Sequence, residues 1–193
     1  NSKKLMPLVH LPVQSGSNKI LELMNRNHTI QEYLKIYEKL KKINPLIEFS
    51  SDFIIGYPEE DEKDFEMTYD LIKKIKFINS YSFIFSPRPG TQASKLKLVD
   101  KKISTKRLEI IQKKLFQNQI DKNKSIENME IDVLIESQTK DKTKLFGRSE
   151  HMTSVIISGN KEYIGEIVKV RVYKSNQNTL FGEIVKNLNK KVA

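Results

Sequence analysis

Apolar positions change their spacing several times along the chain, and each change marks an element. Residues 9–13 form a short apolar run, broken by Pro12 and closed by the polar turn Gln14, Ser15, Gly16, Ser17, which predicts a strand running into a loop. Asn18 can cap the helix that follows, with Ile20, Leu23 and Met24 on one face. Thr29-Ile30-Gln31-Glu32 has the form of a capping box and opens a helix burying Ile30, Tyr33, Leu34, Tyr37 and Leu40, which stops before Pro45. Residues 47–55 read as the next strand, ended by Gly56-Tyr57-Pro58. The acids within 59–64 suit the positive end of a helix carrying Phe65, Tyr69, Ile72 and Ile75. Residues 80–86 then alternate, Tyr81, Phe83 and Phe85 against Ser82, Ile84 and Ser86, before the rigid turn Pro87-Arg88-Pro89-Gly90-Thr91. Strand, helices, strand, helix, strand predicts right-handed crossovers and a parallel sheet over residues 8–91.

Residues 104–124 read as a further helix, with Leu108, Ile111 and Leu115 at helical spacing. The period then falls to two: Ile131, Val133 and Ile135 alternate with Asp132, Leu134 and Glu136. Short strands follow near 145–149, 153–157, 164–173 and 180–186, with Gly147, Gly159, Gly165 and Gly182 at turns, bends or close approaches. Five short strands in the last third of the chain predict a small antiparallel barrel of the OB type. Gly-Glu-Ile-Val occurs at 165–168 and again at 182–185, as two strands starting alike. The fold class is α/β plus all-β, in three parts: 1–94, a basic linker helix at 95–124, and 125–193.

Charge sharpens this division. The chain has 193 residues, 34 Lys+Arg against 24 Asp+Glu, and a net charge of +10. Most of the excess lies in 95–124, where Lys95, Lys97, Lys101, Lys102, Lys106, Arg107, Lys113, Lys114, Lys122 and Lys124 face only Asp100, Glu109 and Asp121. Such a strip attracts a polyanion such as RNA in a salt-dependent way; it is also what a solvated helix face looks like in a Lys-rich chain. No apolar run approaches the ~20 residues of a membrane span. The opening residues 1–7 are too short and interrupted for a signal peptide, so a cytoplasmic location is expected. The chain opens on Asn1 and not on Met, which fits a processed product or a fragment. There is no Cys, hence no disulfide, Cys-zinc site or thiolate-held iron–sulfur cluster on this chain. His10, His28 and His151 are too scattered for a metal site, no Ser-His-Asp arrangement is readable, and no catalytic residue is assigned.

Polar groups and glycines cluster where the first three strands end, which is where parallel sheets bind ligands. Gln14, Ser15 and Ser17 offer hydrogen bonds, with Gly16 permitting close approach; an ordinary strand-to-helix turn has the same composition. On the second strand Ile54 or Ile55 can pack on a flat ligand that Gly56 lets near, and Asp52 can bond a ligand or cap a neighbouring loop. On the third, Ser82 and Ser86 precede Arg88, which a rigid turn holds ready for a phosphate or carboxylate. In the last part Phe146, Arg148, His151, Arg171, Tyr173 and Lys174 interleave rings and cations, either for stacking on unpaired bases or as barrel core.

Taken together, His10-Leu11-Pro12-Val13-Gln14-Ser15-Gly16-Ser17, Met24-Asn25-Arg26, residues 52–58 and Phe85-Ser86-Pro87-Arg88-Pro89-Gly90-Thr91 resemble the MiaB family of radical-SAM methylthiotransferases. The resemblance covers essentially the whole chain. It implies the later strands of a partial (β/α) radical-SAM barrel, then a basic helix and an OB-like TRAM β-barrel. Complete members of the family add a methylthio group to isopentenyladenosine beside the anticodon of tRNA, using S-adenosylmethionine and 4Fe-4S clusters. The Cys-x-x-x-Cys-x-x-Cys loop of that chemistry is missing here, so the cluster ligands are absent from this chain. By resemblance, Gln14, Ser15, Gly16, Asp52, Ile54, Gly56 and Arg88 form a partial S-adenosylmethionine pocket. Lys101, Lys102, Lys106, Arg107, Arg148, Arg171 and Lys174 are the candidate RNA contacts. The implied partners are tRNA and a separately encoded N-terminal half; a non-catalytic RNA-binding remnant is the alternative. Sister groups act on threonylcarbamoyladenosine or on a ribosomal protein. One departure stands out: the family has Gly where this chain has Glu59, which strains the turn if φ there is positive.

Overall fold

Pro12 has no N–H to give a sheet ladder, and strand β1 (Leu8–His10) ends before it. Val13 N–H donates to the Ser51 hydroxyl at 3.0 Å, and Gln14 rejoins the sheet by a parallel bridge to Phe53. The run expected as one strand is divided at Ser51. Strand β2 (Glu48–Ser50) pairs parallel with β1, and β3 (Asp52–Ile55) pairs parallel with β4 (Tyr81–Ile84). The computed structural model describes residues 5–185. Residues 1–4, read with the opening segment, and 186–193, the end of the expected C-terminal domain, lie outside them.

Helix α1 (Asn18–Leu23) is capped by Ser17 and not by Asn18: the Ser17 hydroxyl accepts from Ile20 N–H and donates to Asp64. Asn18 instead accepts from Ile30 N–H at 2.8 Å, at the start of α2 (Ile30–Ile43). The Thr29–Glu32 capping box forms, and a second one, Asp61 with Asp64, opens α3 (Glu62–Ile75). Helix α4 (Lys101–Ser125) starts where the Asp100 carboxylate accepts from Lys102 and Ile103 N–H.

One face of the parallel segments is covered. Phe49, Phe53, Ile55 and Phe77 pack with Tyr33 of α2, Phe65, Leu71, Ile72 and Ile75 of α3, and Ile111 and Leu115 of α4. Fully burying side chains of this size contributes about 1.5–3 kcal/mol each. The opposite face is open: Tyr81 and Phe83 are 63% and 56% exposed, while Ser82 is buried. The aromatic side of the alternating run thus turns away from the core. Helix α4 is not a free linker. Its residues up to Asn118 belong to one compact unit, Pro7–Asn118, and those from Gln119 onward to a second.

In the second unit β5 (Glu130–Gln138), β6 (Leu145–Ser149), β7 (Ser154–Ser158), β8 (Ile167–Ser175) and β9 (Thr179–Ile184) close a barrel in the order β5-β6-β7-β9-β8. Its pairings are antiparallel except β7 with β9, which is parallel. A five-stranded closed sheet of this kind is OB-like. Val133, Ile135, Leu145, Val155, Ile157, Val170, Val172 and Leu180 fill it. Both long strands carry a bulge beside an inward glycine: Glu136 of β5 near Gly147, and Tyr173 of β8 near Gly182. A Cβ on Gly147 would meet Leu134 O at 2.5 Å, and one on Gly182 would meet Arg171 O at 2.8 Å, so bare glycine lets bent strands close the ring. The repeated Gly-Glu-Ile-Val is not a structural repeat: Gly165 (φ +91°) sits in the turn before β8, whereas Gly182 lies inside β9.

Candidate functional site

Parallel strands leave their C-terminal ends open to ligands, and here a cavity of about 920 Å³ lies at the ends of β3 and β4. Ile54, Tyr57, Phe83 and Phe85 give it an apolar wall; Arg88 and Gln92 stand at its polar part. Tyr57 is fixed by its hydroxyl, which donates to Leu23 O at 2.9 Å, and by edge contact with Phe85 at 4.8 Å between ring centroids. Of the sequence candidates, Ile54 and Arg88 line this cavity. Gly56 lines a smaller neighbouring one of about 440 Å³ with Ser86 and Ser104.

The other candidates are placed differently. The Gly16 N–H donates to Thr68 Oγ1 at 2.9 Å, and Ser15 Oγ lies 3.3 Å from the same oxygen. A Cβ on Gly16 would come within 2.5 Å of Met67 O, so the backbone that Gly16 lets near is that of α3. Gln14 is nearly buried and holds φ +72° to make its bridge to β3. Asp52 stands on the open sheet face, its carboxylate 3.4 Å from His10 Nε2, and His10 Nδ1 is 2.8 Å from Ser50 Oγ. At Gly56 (φ +68°) a Cβ would collide with the Ser104 side chain of α4. Sequence reading missed the wall formed by Tyr57, Phe83 and Phe85; the alternation of 80–86 was the available signal, without the information of which side is open.

The loop below the cavity is clasped from α4. Arg107 bonds the Glu60 carboxylate at 3.0 Å, Glu60 O at 3.1 Å and Glu62 at 2.8 Å, and lies over the Phe65 ring. Glu60 in turn accepts from Gly56 N–H at 3.1 Å. Burial pushes the Glu60 carboxyl up from its ordinary value, and the Gly56 N–H and the Arg107 charge oppose this. Arg107 is 6% exposed and both of its Nη groups are held in the clasp, so it is not presented at the surface with the other candidate RNA contacts. Glu59, between Pro58 and Glu60, holds φ +65°, the strained geometry expected at the position where the family has Gly. Lys101, Lys102 and Lys106 are exposed on α4.

In the barrel unit the interleaved residues separate. His151 is buried. Arg171 bonds Glu130 at 2.6 Å and also faces Glu183 across the strand, while Lys169 bonds Asp132 at 2.9 Å, so the outer face of β5 and β8 neutralises itself. Arg148 lies over Phe146 at 5.4 Å, with Glu136 at 3.5 Å. Lys174 is exposed and makes no ion pair among the described residues.

Comparison with known proteins agrees with both units. A model of the radical SAM superfamily matches residues 2–72, and a model of the TRAM domain matches residues 124–185. The chain is 70% identical, over 192 residues, to the tRNA-2-methylthio-N(6)-dimethylallyladenosine synthase of Pelagibacter ubique strain HTCC1062, covering 100% of this chain and 43% of that protein. Proteins of the same name match at 47% identity in Wolbachia pipientis subsp. Culex pipiens strain wPip (93% of this chain, 41% of the relative) and 42% in Orientia tsutsugamushi strain Boryong (96% and 42%). The chain thus spans less than half the length of the curated relatives it matches. An α/β unit matched as radical SAM, a closed five-stranded barrel matched as TRAM, and identity running through both place the chain in the MiaB family of radical-SAM tRNA methylthiotransferases, as its C-terminal portion.

Proposed function

We propose that this chain is the S-adenosylmethionine-holding and tRNA-gripping part of an enzyme that methylthiolates isopentenyladenosine next to the anticodon. The observation carrying this reading is the identity to the dimethylallyladenosine synthases across both units, together with a nucleoside-sized cavity at the strand ends. Ile54, Tyr57 and Phe83 offer flat apolar surface for an adenine, and Arg88 a cation for a carboxylate. When bound, S-adenosylmethionine is the source of the radical and of the methyl group. The chain does not fit a 4Fe-4S cluster: it has no Cys, and no group of three or more His, Cys, Asp or Glu side chains gathers among the described residues. Cluster ligands must therefore come from outside these 193 residues, and an N-terminal half, whether or not separately encoded, is the source we propose. Lack of cysteine also favours a second reading for the chain by itself, RNA binding without catalysis. Among the described residues no helix is long and apolar enough to cross a membrane, which accords with work on tRNA in the cytoplasm.

Titrating the purified chain calorimetrically with S-adenosylmethionine, and by anisotropy with labelled tRNA, tests both readings. Saturable cofactor binding that weakens about tenfold in Arg88→Gln is expected, since a charge-assisted bond is worth on the order of 1.5–3 kcal/mol. Binding of tRNA without cofactor would leave only the RNA-binding reading; binding of neither overturns the proposal.

A further inference from the structure

The barrel's two outer faces differ in chemistry, and the difference shows in the strand register. Where β5 pairs with β8 the cations are opposed by carboxylates, Arg171 by Glu130 and Lys169 by Asp132, leaving little free field. Across β6, β7, β9 and β8 a single outward row reads Phe146, Ile156, Phe181, Lys174, each residue the direct cross-strand partner of the next. The three apolar members are half-buried and point away from the core, where a soluble barrel ordinarily carries polar side chains. Phe146 and Phe181 stand two strands apart, about 10 Å at ordinary strand spacing, so each ring can take its own base. Cations border the row at both ends: Arg148 over Phe146 and exposed Lys140, Lys142 and Lys144 in the loop entering β6, then Lys174 beside the bulged, exposed Tyr173.

We infer that this row, and not the face where β5 pairs with β8 and carries Arg171, seats unpaired RNA bases, with Phe146 and Phe181 as stacking surfaces and Lys174 and the lysines of the loop entering β6 as phosphate contacts. The inference rests on the reading of the chain as tRNA-binding and assigns the surface that does it. Every base has a face that can stack on an aromatic ring, so such a platform suits a single strand of any sequence and rejects a duplex, whose bases are already stacked.

The full chain contains no Trp, so one introduced ring is a clean reporter. Phe146→Trp and Phe181→Trp should each lose emission when a single-stranded oligoribonucleotide is added, and should not respond to the matched RNA duplex at equal phosphate concentration. Ile167→Trp, on the other face, should not respond to either. Anisotropy of the labelled single strand should show Phe146→Leu with Phe181→Leu weakening binding about tenfold or more with an unchanged salt slope. Lys174→Gln should lower the slope, and Arg171→Gln should change neither. Circular dichroism confirms that each variant is folded. Retained RNA binding without quenching at 146 or 181, or equal quenching at 167, overturns this assignment and leaves the tRNA reading intact. A parent chain that binds neither RNA overturns both.

Discussion

At the scale of single residues, two neighbours in one loop pull in opposite directions. Glu59 holds φ +65°, where a side chain crowds the backbone, while Glu60 anchors the same loop to Arg107. Glu59→Gly should therefore raise the stability of the first unit by about 1 kcal/mol, the relief of left-handed strain less the entropy that Gly adds to the unfolded chain. Urea unfolding followed by helical circular dichroism measures it; a lower midpoint would show that Glu59 makes contacts worth more than its strain. Arg107→Ala removes one partner of a buried pair and strands the Glu60 charge, which costs on the order of 3–5 kcal/mol. The same change at Lys106, one residue earlier and exposed, should stay within about 0.5 kcal/mol. If the two variants unfolded alike, the clasp would contribute nothing.

Elements explain why some of this was legible and some was not. The strand–helix alternation of 8–91 could be read because one covered sheet face and one covered helix face impose periods that survive in sequence. The break at Ser51 could not, since it arises from Pro12 on the neighbouring strand and a hydroxyl that replaces a ladder partner. Ser15 and Gly16 carry the same letters whether a ligand or α3 lies against them; only the position of Thr68 decides. Arg107 was open to a better reading: it stands four and eight residues before Ile111 and Leu115, on the face of α4 that is buried. Lys101, Lys102 and Lys106 lie on exposed faces, and changing all three to Gln should weaken tRNA binding and reduce its log–log salt slope by up to about 0.7–0.9 for each phosphate no longer neutralised. An unchanged slope by anisotropy would take that helix out of the interface. The start of α3 supplies a pH test. Asp61 is held down to about 2, chiefly by the Asp64 N–H and then by Lys19. A carboxylate lowered in the folded state contributes stability that is present above its ordinary range and lost as pH falls toward about 2. Asp61→Asn keeps a capping oxygen without the titration, so its helical signal should decline less steeply than the parent's between about pH 4 and pH 2.

For the whole molecule the governing fact is that its two units are built from different bargains with water. The barrel closes on itself, so every strand is paired and its core is enclosed. The first unit keeps a parallel sheet covered on one side only, with Tyr81 and Phe83 in solvent and β1 paired on one edge alone among the described residues. Parallel sheets are normally covered on both faces, so the first unit should be the weaker of the two. Urea should accordingly produce two transitions, with the helical signal, which resides mainly in α1 to α4, lost first. Limited proteolysis should leave a resistant fragment beginning after residue 118. Ligands sharpen the test, because a molecule that binds only one folded unit stabilises that unit alone, by about 2.7 kcal/mol at a hundredfold excess over its dissociation constant. S-adenosylmethionine should shift only the earlier transition. A single-stranded RNA confined to the barrel face should shift only the later one, whereas RNA that also uses the cations of α4 should shift both. One cooperative transition, moved as a whole by either ligand, would show that the units fold as a single body and that the exposed sheet face costs the chain nothing.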